Sequence, residues 1–137
     1  MKGRPLFLLV DDDPDDIMLL RDAVQSFNNN IQFAEAVNGR KAINYLNDAK
    51  LQDRLPDLIV LDINMPVLNG REVISMINKD EQLKQIPLVV FSTSSHMGDL
   101  MYCKEHAVEL IVKPFGMKLL MDIASGLVVK YAGNTKH

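Results

Sequence analysis

Short, wholly apolar runs alternate along the chain with longer stretches in which apolar residues recur every three or four positions. Leu6-Phe7-Leu8-Leu9-Val10 opens the series, and an unbroken apolar run of strand length predicts burial on both faces. Asp13-Pro14 then reads as a helix start, with Asp as N-cap and Pro at the first helical position. Ile17, Leu20, Val24 and Phe27 follow at helical spacing until Asn28-Asn29-Asn30 stops them. Residues 31–36 predict a second strand, less apolar and so at an edge of the sheet. Asn38-Gly39 predicts a turn, and Ala42, Ile43, Leu46 and Ala49 carry the next helical stripe.

The alternation continues. Leu58-Ile59-Val60-Leu61, entered through Pro56-Asp57, predicts a third strand. Residues 64–70 read as a loop punctuated by Pro66 and Asn69-Gly70, and Val73, Ile74 and Ile77 mark a short helix after it. Pro87 sets up a fourth strand at Leu88-Val89-Val90-Phe91. A helix over residues 98–106 follows, with Leu100 and Cys103 inward, then a fifth strand at Leu110-Ile111-Val112. Residues 117–131 close as a helix with Leu120, Ala124, Leu127 and Val128 on one face. Five strand–helix pairs in strict order predict an α/β fold, a doubly wound parallel sheet with five helices and right-handed crossovers. For five strands the expected order is the flavodoxin-like 2-1-3-4-5, whose ligand crevice lies at the carboxyl ends of strands one and three.

Composition narrows the classes. A chain of 137 residues, 47% hydrophobic and 24% charged, is one ordinary globular domain in length. Its net charge of −3 gives no general attraction to nucleic acid or anionic membrane. Lys2 and Arg4 precede the first apolar run, but that run stops at a cluster of aspartates with no cleavage site, so it is no signal peptide. No apolar stretch approaches the ~20 residues needed to span a bilayer. A single cysteine, Cys103, excludes an intrachain disulfide and a Cys-based zinc site, and the expected setting is the reducing cytoplasm.

The predicted topology brings together whatever follows strands one, three, four and five. Those residues are Asp11-Asp12, Asp62, Ser92 and Lys113. Two carboxylates about 5 Å apart repel by roughly 3 kcal/mol at an effective dielectric near 20, so three in one crevice call for a cation. A hard divalent ion with oxygen ligands fits, and Mg²⁺ takes one or two carboxylates plus water and phosphate oxygens. Lys113 adds a point charge for an anion and Ser92 a hydroxyl donor. Metal, ammonium and hydroxyl together suit phosphoryl transfer, with a carboxylate able to act as nucleophile.

Val10-Asp11-Asp12, Asp62-x-Asn64-Met65-Pro66-x-x-x-Gly70, Ser92 and Lys113-Pro114-Phe115, in this order and each at a strand end, resemble the receiver domain of bacterial two-component response regulators. The resemblance covers residues 4–132. It implies that Asp62 is the phospho-acceptor, that Asp12 binds Mg²⁺ directly and Asp11 directly or through water, and that the Asn64 carbonyl completes the protein ligands. It implies further that Ser92 receives a phosphoryl oxygen, that Lys113 pairs with the phosphoryl group, and that the Lys113–Pro114 peptide is cis. A sensor histidine kinase or phosphotransfer protein would supply phosphohistidine, and the face of helix four, strand five and helix five would change its affinity for a partner or a second copy of the chain. Two departures stand out. Leu110 occupies the position, three before the lysine, where the family usually carries an aromatic switch. The long stretch over residues 48–56 resembles stand-alone receivers beside phytochrome-type and hybrid kinases. Only residues 133–137 follow helix five, so no output domain and no direct nucleic-acid contact are expected, and the chain is expected to be no enzyme beyond reactions on its own aspartate.

Plainer readings apply to the remaining polar residues. Asp15 and Asp16 sit in a first helical turn, where acid favours the helix dipole. Asp57 belongs at the opposite end of its strand from Asp62, five residues at ~3.3 Å away. His96 is a candidate for the crevice rim, His106 a helix-end residue and Cys103 core filler. The last helix also carries Leu119, Met121, Ile123 and Val129, apolar nearly all round, and either the chain's tail or a partner covers part of it. Two other functions compete: a receiver-like interaction module that works without phosphorylation, and a haloacid-dehalogenase-type phosphatase, whose Asp-x-Asp start Asp11-x-Asp13 resembles. Against the phosphatase, Asp15 stands where that motif wants Thr and no acid pair follows Lys113.

Overall fold

The computed structural model describes residues 3–65, 67–93 and 97–132. Pro66, His96 and the segment 133–137 lie outside them, and with them the expectations of a rim histidine and of a short tail. Five parallel strands, β1 (Leu6–Val10), β2 (Gln32–Ala36), β3 (Leu58–Leu61), β4 (Leu88–Ser92) and β5 (Glu109–Val112), form one sheet in the order β2-β1-β3-β4-β5. The helices are α1 (Pro14–Phe27), α2 (Gly39–Leu51), α3 (Gly70–Asn78), α4 (Met97–Glu105) and α5 (Met117–Leu127). This is the predicted flavodoxin-like architecture.

Period-two alternation along the strands fills two cores. Leu8, Val10, Ile59, Leu61 and Val90 face one way, onto Ala42, Ile43 and Leu46 of α2, Val73, Ile74 and Ile77 of α3, and Cys103 of α4. Phe7, Leu9, Leu58, Val60, Val89 and Phe91 face the other way, onto Ile17, Leu20 and Val24 of α1 and Leu120, Ala124 and Leu127 of α5. Each fully buried Leu, Ile or Phe contributes about 1.5–3 kcal/mol of transfer free energy. The three inner strands are the most apolar because helices cover both their faces. β2 and β5 are edges, and both are only partly buried.

Several local expectations are corrected. Asn38-Gly39 is not a separate turn: the Asn38 side chain accepts from the Lys41 amide and caps α2, so Gly39 is already helical. Asn69-Gly70 likewise opens α3, through a capping box in which Asn69 and Glu72 bond each other's backbone amides. A 3₁₀ turn at Leu83–Gln85 was not predicted; Asp80 organises it by accepting from the Gln82 and Leu83 amides. Phe27 and Leu100 are exposed rather than inward. On α4 the inward pair is Asp99 and Cys103, four residues apart on one face, and the Arg71 side chain on α3 meets the buried acid. α5 ends at Leu127 and passes into a π-helical turn, Val128–Ala132, where Val128 is half-buried. The Lys113–Pro114 peptide is trans, as are all peptides among the described residues, and trans is the favoured isomer of an X–Pro bond.

Candidate phosphoryl-acceptor crevice

Strand register builds the site. Val10 pairs with Leu61, and the ladder runs one residue further, the Asp62 amide donating to the Val10 carbonyl at 2.9 Å. Asp11 and Asp62 therefore leave the sheet side by side. On the other flank Ser92 pairs with Val112, and the Lys113 amide donates to the Ser92 carbonyl at 2.9 Å. All four positions sit at the carboxyl edge, where a doubly wound sheet holds its ligands.

Each side chain is then fixed locally. Asp11 accepts from the Asp13 amide at 2.9 Å, which folds the chain over into α1. Asp62 accepts from the Asn64 amide at 3.2 Å, which draws the next loop across it. Gly70 closes that loop: its amide donates to the Ile63 carbonyl, and a Cβ there would lie 2.5 Å from Ile63 Cα and 2.8 Å from the Asp62 carbonyl oxygen. Asp11 is 6% exposed and Asp62 7%, while Asp12 and Asn64 are exposed. Carboxylate oxygens of Asp11, Asp12 and Asp62 all lie within 4.8 Å of one another.

Lys113 reaches into this cluster. Its Nζ lies 2.6 Å from Asp11 Oδ2, 2.8 Å from Asp16 Oδ2 and 3.6 Å from Asp62 Oδ2, and the side chain is only 10% exposed. The Phe91 ring lies 5.9 Å below the ammonium. Burial is the largest influence on Lys113 and opposes its charge, but hydrogen bonds to Asp11 and Asp16 and the charge of Asp62 outweigh it and raise the pKa. Burial pushes the Asp11 carboxyl up to about 6, against the pull of Lys113 and the Asp13 amide. One ammonium does not fully compensate this much buried acid. The donor set is all oxygen, it is short of positive charge and it opens to solvent at Asp12, so a hard divalent cation fits it.

The structure thus brings together Asp11, Asp12, Asp62 and Lys113, with Ser92 buried beside them at the end of β4. Asp57 sits at the far end, accepting from the Leu6 amide. Asp16 was missed. Its place in the first helical turn suits the helix dipole, yet it also grips Lys113; the signal lies in its position three residues after the N-cap, because helical side chains tilt toward the N-terminus and so toward the crevice. The Asp99–Arg71 pair was missed as well. Arg71 donates to Asp99 at 2.7 and 3.1 Å, stacks 5.0 Å over the Tyr102 ring, and its carbonyl accepts from the Tyr102 hydroxyl. Leu110 lies half-buried in the core on the same side of the sheet as Tyr102.

A doubly wound α/β protein with buried acids and a lysine at the switch point between β1 and β3 carries its charged side chains where such sheets hold their ligands. A family model for the response regulator receiver domain matches residues 7–125, and the chain belongs to that family, the signal-receiving part of two-component systems. It is 32% identical over 117 residues to the probable methanogenesis regulatory protein FilR2 of Methanothrix harundinacea, covering 82% of this chain and 74% of that protein. Longer relatives exist: the chain spans 34% of a protein-glutamate methylesterase/protein-glutamine glutaminase of Methanococcoides burtonii, at 30% identity over 90% of this chain. Among solved structures it superposes on the phosphorylated cyanobacterial phytochrome response regulator RcpA with a TM-score of 0.85, at 31% identity and covering 95% of this chain and 94% of that one. On the Mn²⁺-bound form of response regulator Rcp1 the TM-score is 0.82, at 26% identity, covering 96% and 97%. No helix among the described residues is long and apolar enough to cross a membrane.

Proposed function

We propose that residues 4–132 act as one phosphorylatable receiver unit, with Asp62 the acceptor. The observation that carries this is the Asp62 carboxylate itself, buried between Asp11, Asp12 and Lys113 at the carboxyl edge of the sheet. Asp11, Asp12, Asp62 and the Asn64 carbonyl would hold Mg²⁺, which supplies the positive charge that offsets repulsion between a carboxylate and an anionic donor. A carboxylate oxygen of Asp62 attacks the phosphorus of a phosphohistidine, presented by a histidine kinase or phosphotransfer protein. The new O–P bond forms as the P–N bond breaks, and the imidazole leaves with the electron pair. Ser92 donates to a phosphoryl oxygen and Lys113 pairs with the added charge. RcpA was crystallised phosphorylated and Rcp1 with Mn²⁺, which supports both parts of the reading.

The output is a shift between conformations that the phosphoryl group stabilises unequally. Met97 and Met101 on α4, Val112 on β5, and Leu119 on α5 are exposed on the face where a partner or a second copy would dock, and Phe115 stands fully in solvent beside them. Leu110 favours one competing reading, a module whose contacts do not depend on phosphate, since it offers no ring to flip. One experiment decides. Incubated with Mg²⁺ and acetyl phosphate, the wild type gains one base-labile phosphate by intact mass, and chelation of Mg²⁺ prevents it. Asp62→Asn gains none; equal labelling of that variant refutes the acceptor assignment.

A further inference from the structure

Building on Asp62 as acceptor, we propose that Asp16 is a positioning residue that competes with the phosphoryl group for Lys113. An ammonium has three N–H donors. Two are engaged at hydrogen-bond distance, by Asp11 at 2.6 Å and Asp16 at 2.8 Å, while Asp62 at 3.6 Å makes only a charge contact. The lysine therefore rests on the α1 side of the crevice, off the acceptor.

Asp16 is placed to hold the lysine from the α1 side. It stands three residues past the Asp13 cap, at the positive end of α1, and it is absent from the carboxylate cluster of Asp11, Asp12 and Asp62. Its side chain is 31% exposed, so the bond to Lys113 is partly screened and can be exchanged. Phosphorylation turns the single negative charge of the Asp62 carboxylate into a phosphoryl group carrying about two, with three acceptor oxygens. To meet them the ammonium turns toward Asp62, and the contact it can release is the one to Asp16, because Asp11 is the more buried partner. The firmer the hold of Asp16, the weaker the hold on phosphate. Asp16 thus sets the occupancy of the phosphoryl-bound arrangement without touching the phosphoryl group.

Beryllium fluoride with Mg²⁺, a non-covalent mimic of the phosphoryl group, tests this by calorimetry on the full chain. Asp16→Asn is expected to bind the mimic about five-fold tighter, the effect of one partly exposed ion pair. Asp16→Glu, which keeps the anchoring charge, is expected to stay near wild type. Asp15→Asn removes the same charge from an exposed neighbour in the same helical turn, and is expected to change affinity by less than about two-fold. Equal tightening in Asp15→Asn and Asp16→Asn would show bulk charge alone and overturn the proposal, as would unchanged or weaker binding in Asp16→Asn. If the wild type binds the mimic no better than Asp62→Asn, the acceptor assignment itself fails, and the anchor role falls with it.

Discussion

Replacing Lys113 by Met keeps the aliphatic stem and deletes the ammonium, which leaves Asp11 and Asp62 buried with no cation. At an effective dielectric near 20, each carboxylate at the observed 2.6–3.6 Å attracts Nζ by roughly 5 kcal/mol. Most of that offsets the loss of hydration on burying the ions, so the net loss on removing one partner is about 3–5 kcal/mol. For a chain of this size that lowers the melting temperature by roughly 10–15 °C. The loss carries a pH signature. Asp11 in the folded protein titrates near 6, above its ordinary value of 3.8, so the stability linked to its protonation is present at low pH and is lost as pH rises through about 6. Without Lys113 the folded pKa rises further, and the variant is less penalised below that range than above it. Mg²⁺ is expected to restore part of the stability, about 2.7 kcal/mol at a hundred times its Kd. Urea melts followed by far-UV circular dichroism, on both sides of that pH and with or without Mg²⁺, measure all three effects. A loss under about 1 kcal/mol, or one that responds to neither pH nor Mg²⁺, would refute the account of a crevice held by balanced charge.

Two further outcomes follow from the same geometry. Since a cation needs the ionised carboxylate and burial holds Asp11 near 6, Mg²⁺ affinity of the wild type is expected to fall about tenfold per pH unit below that value and to level off above it; calorimetry across the range tests the slope, and a flat profile removes Asp11 from the cation site. Gly70→Ala puts a methyl group 2.5 Å from Ile63 Cα and 2.8 Å from the Asp62 carbonyl oxygen, so it is expected to destabilise by about 1–3 kcal/mol and to slow phosphate incorporation together; a stable variant that labels at the wild-type rate contradicts the tight closure of that loop.

The framework of this fold is readable in the chain because its inner strands are buried on both faces, and nothing but an apolar run satisfies that constraint. Leu58–Leu61 and Leu6–Val10 are legible for this reason, and their ends placed Asp11 and Asp62 in one crevice. The errors fall where apolar spacing is not what decides. Asn38 and Asn69 are ambiguous between turns and caps, because the same side-chain acceptor serves both. Apolar spacing points to Leu100 and passes over Asp99, because a buried acid makes sense only once Arg71, 28 residues earlier, is known to face it. Asp16 has an adequate local role at the helix start, and its contact with a lysine 97 residues away leaves no trace in the local pattern.

Cys103 gives the molecule a built-in reporter. Its thiol is buried under α4, and burial, with Asp99 nearby, raises its pKa and so disfavours the reactive thiolate. A thiol reagent can therefore reach it only while α4 lifts from the sheet, and the labelling rate counts those openings. The protein carries, without any engineered probe, a clock for how often one of its helices detaches.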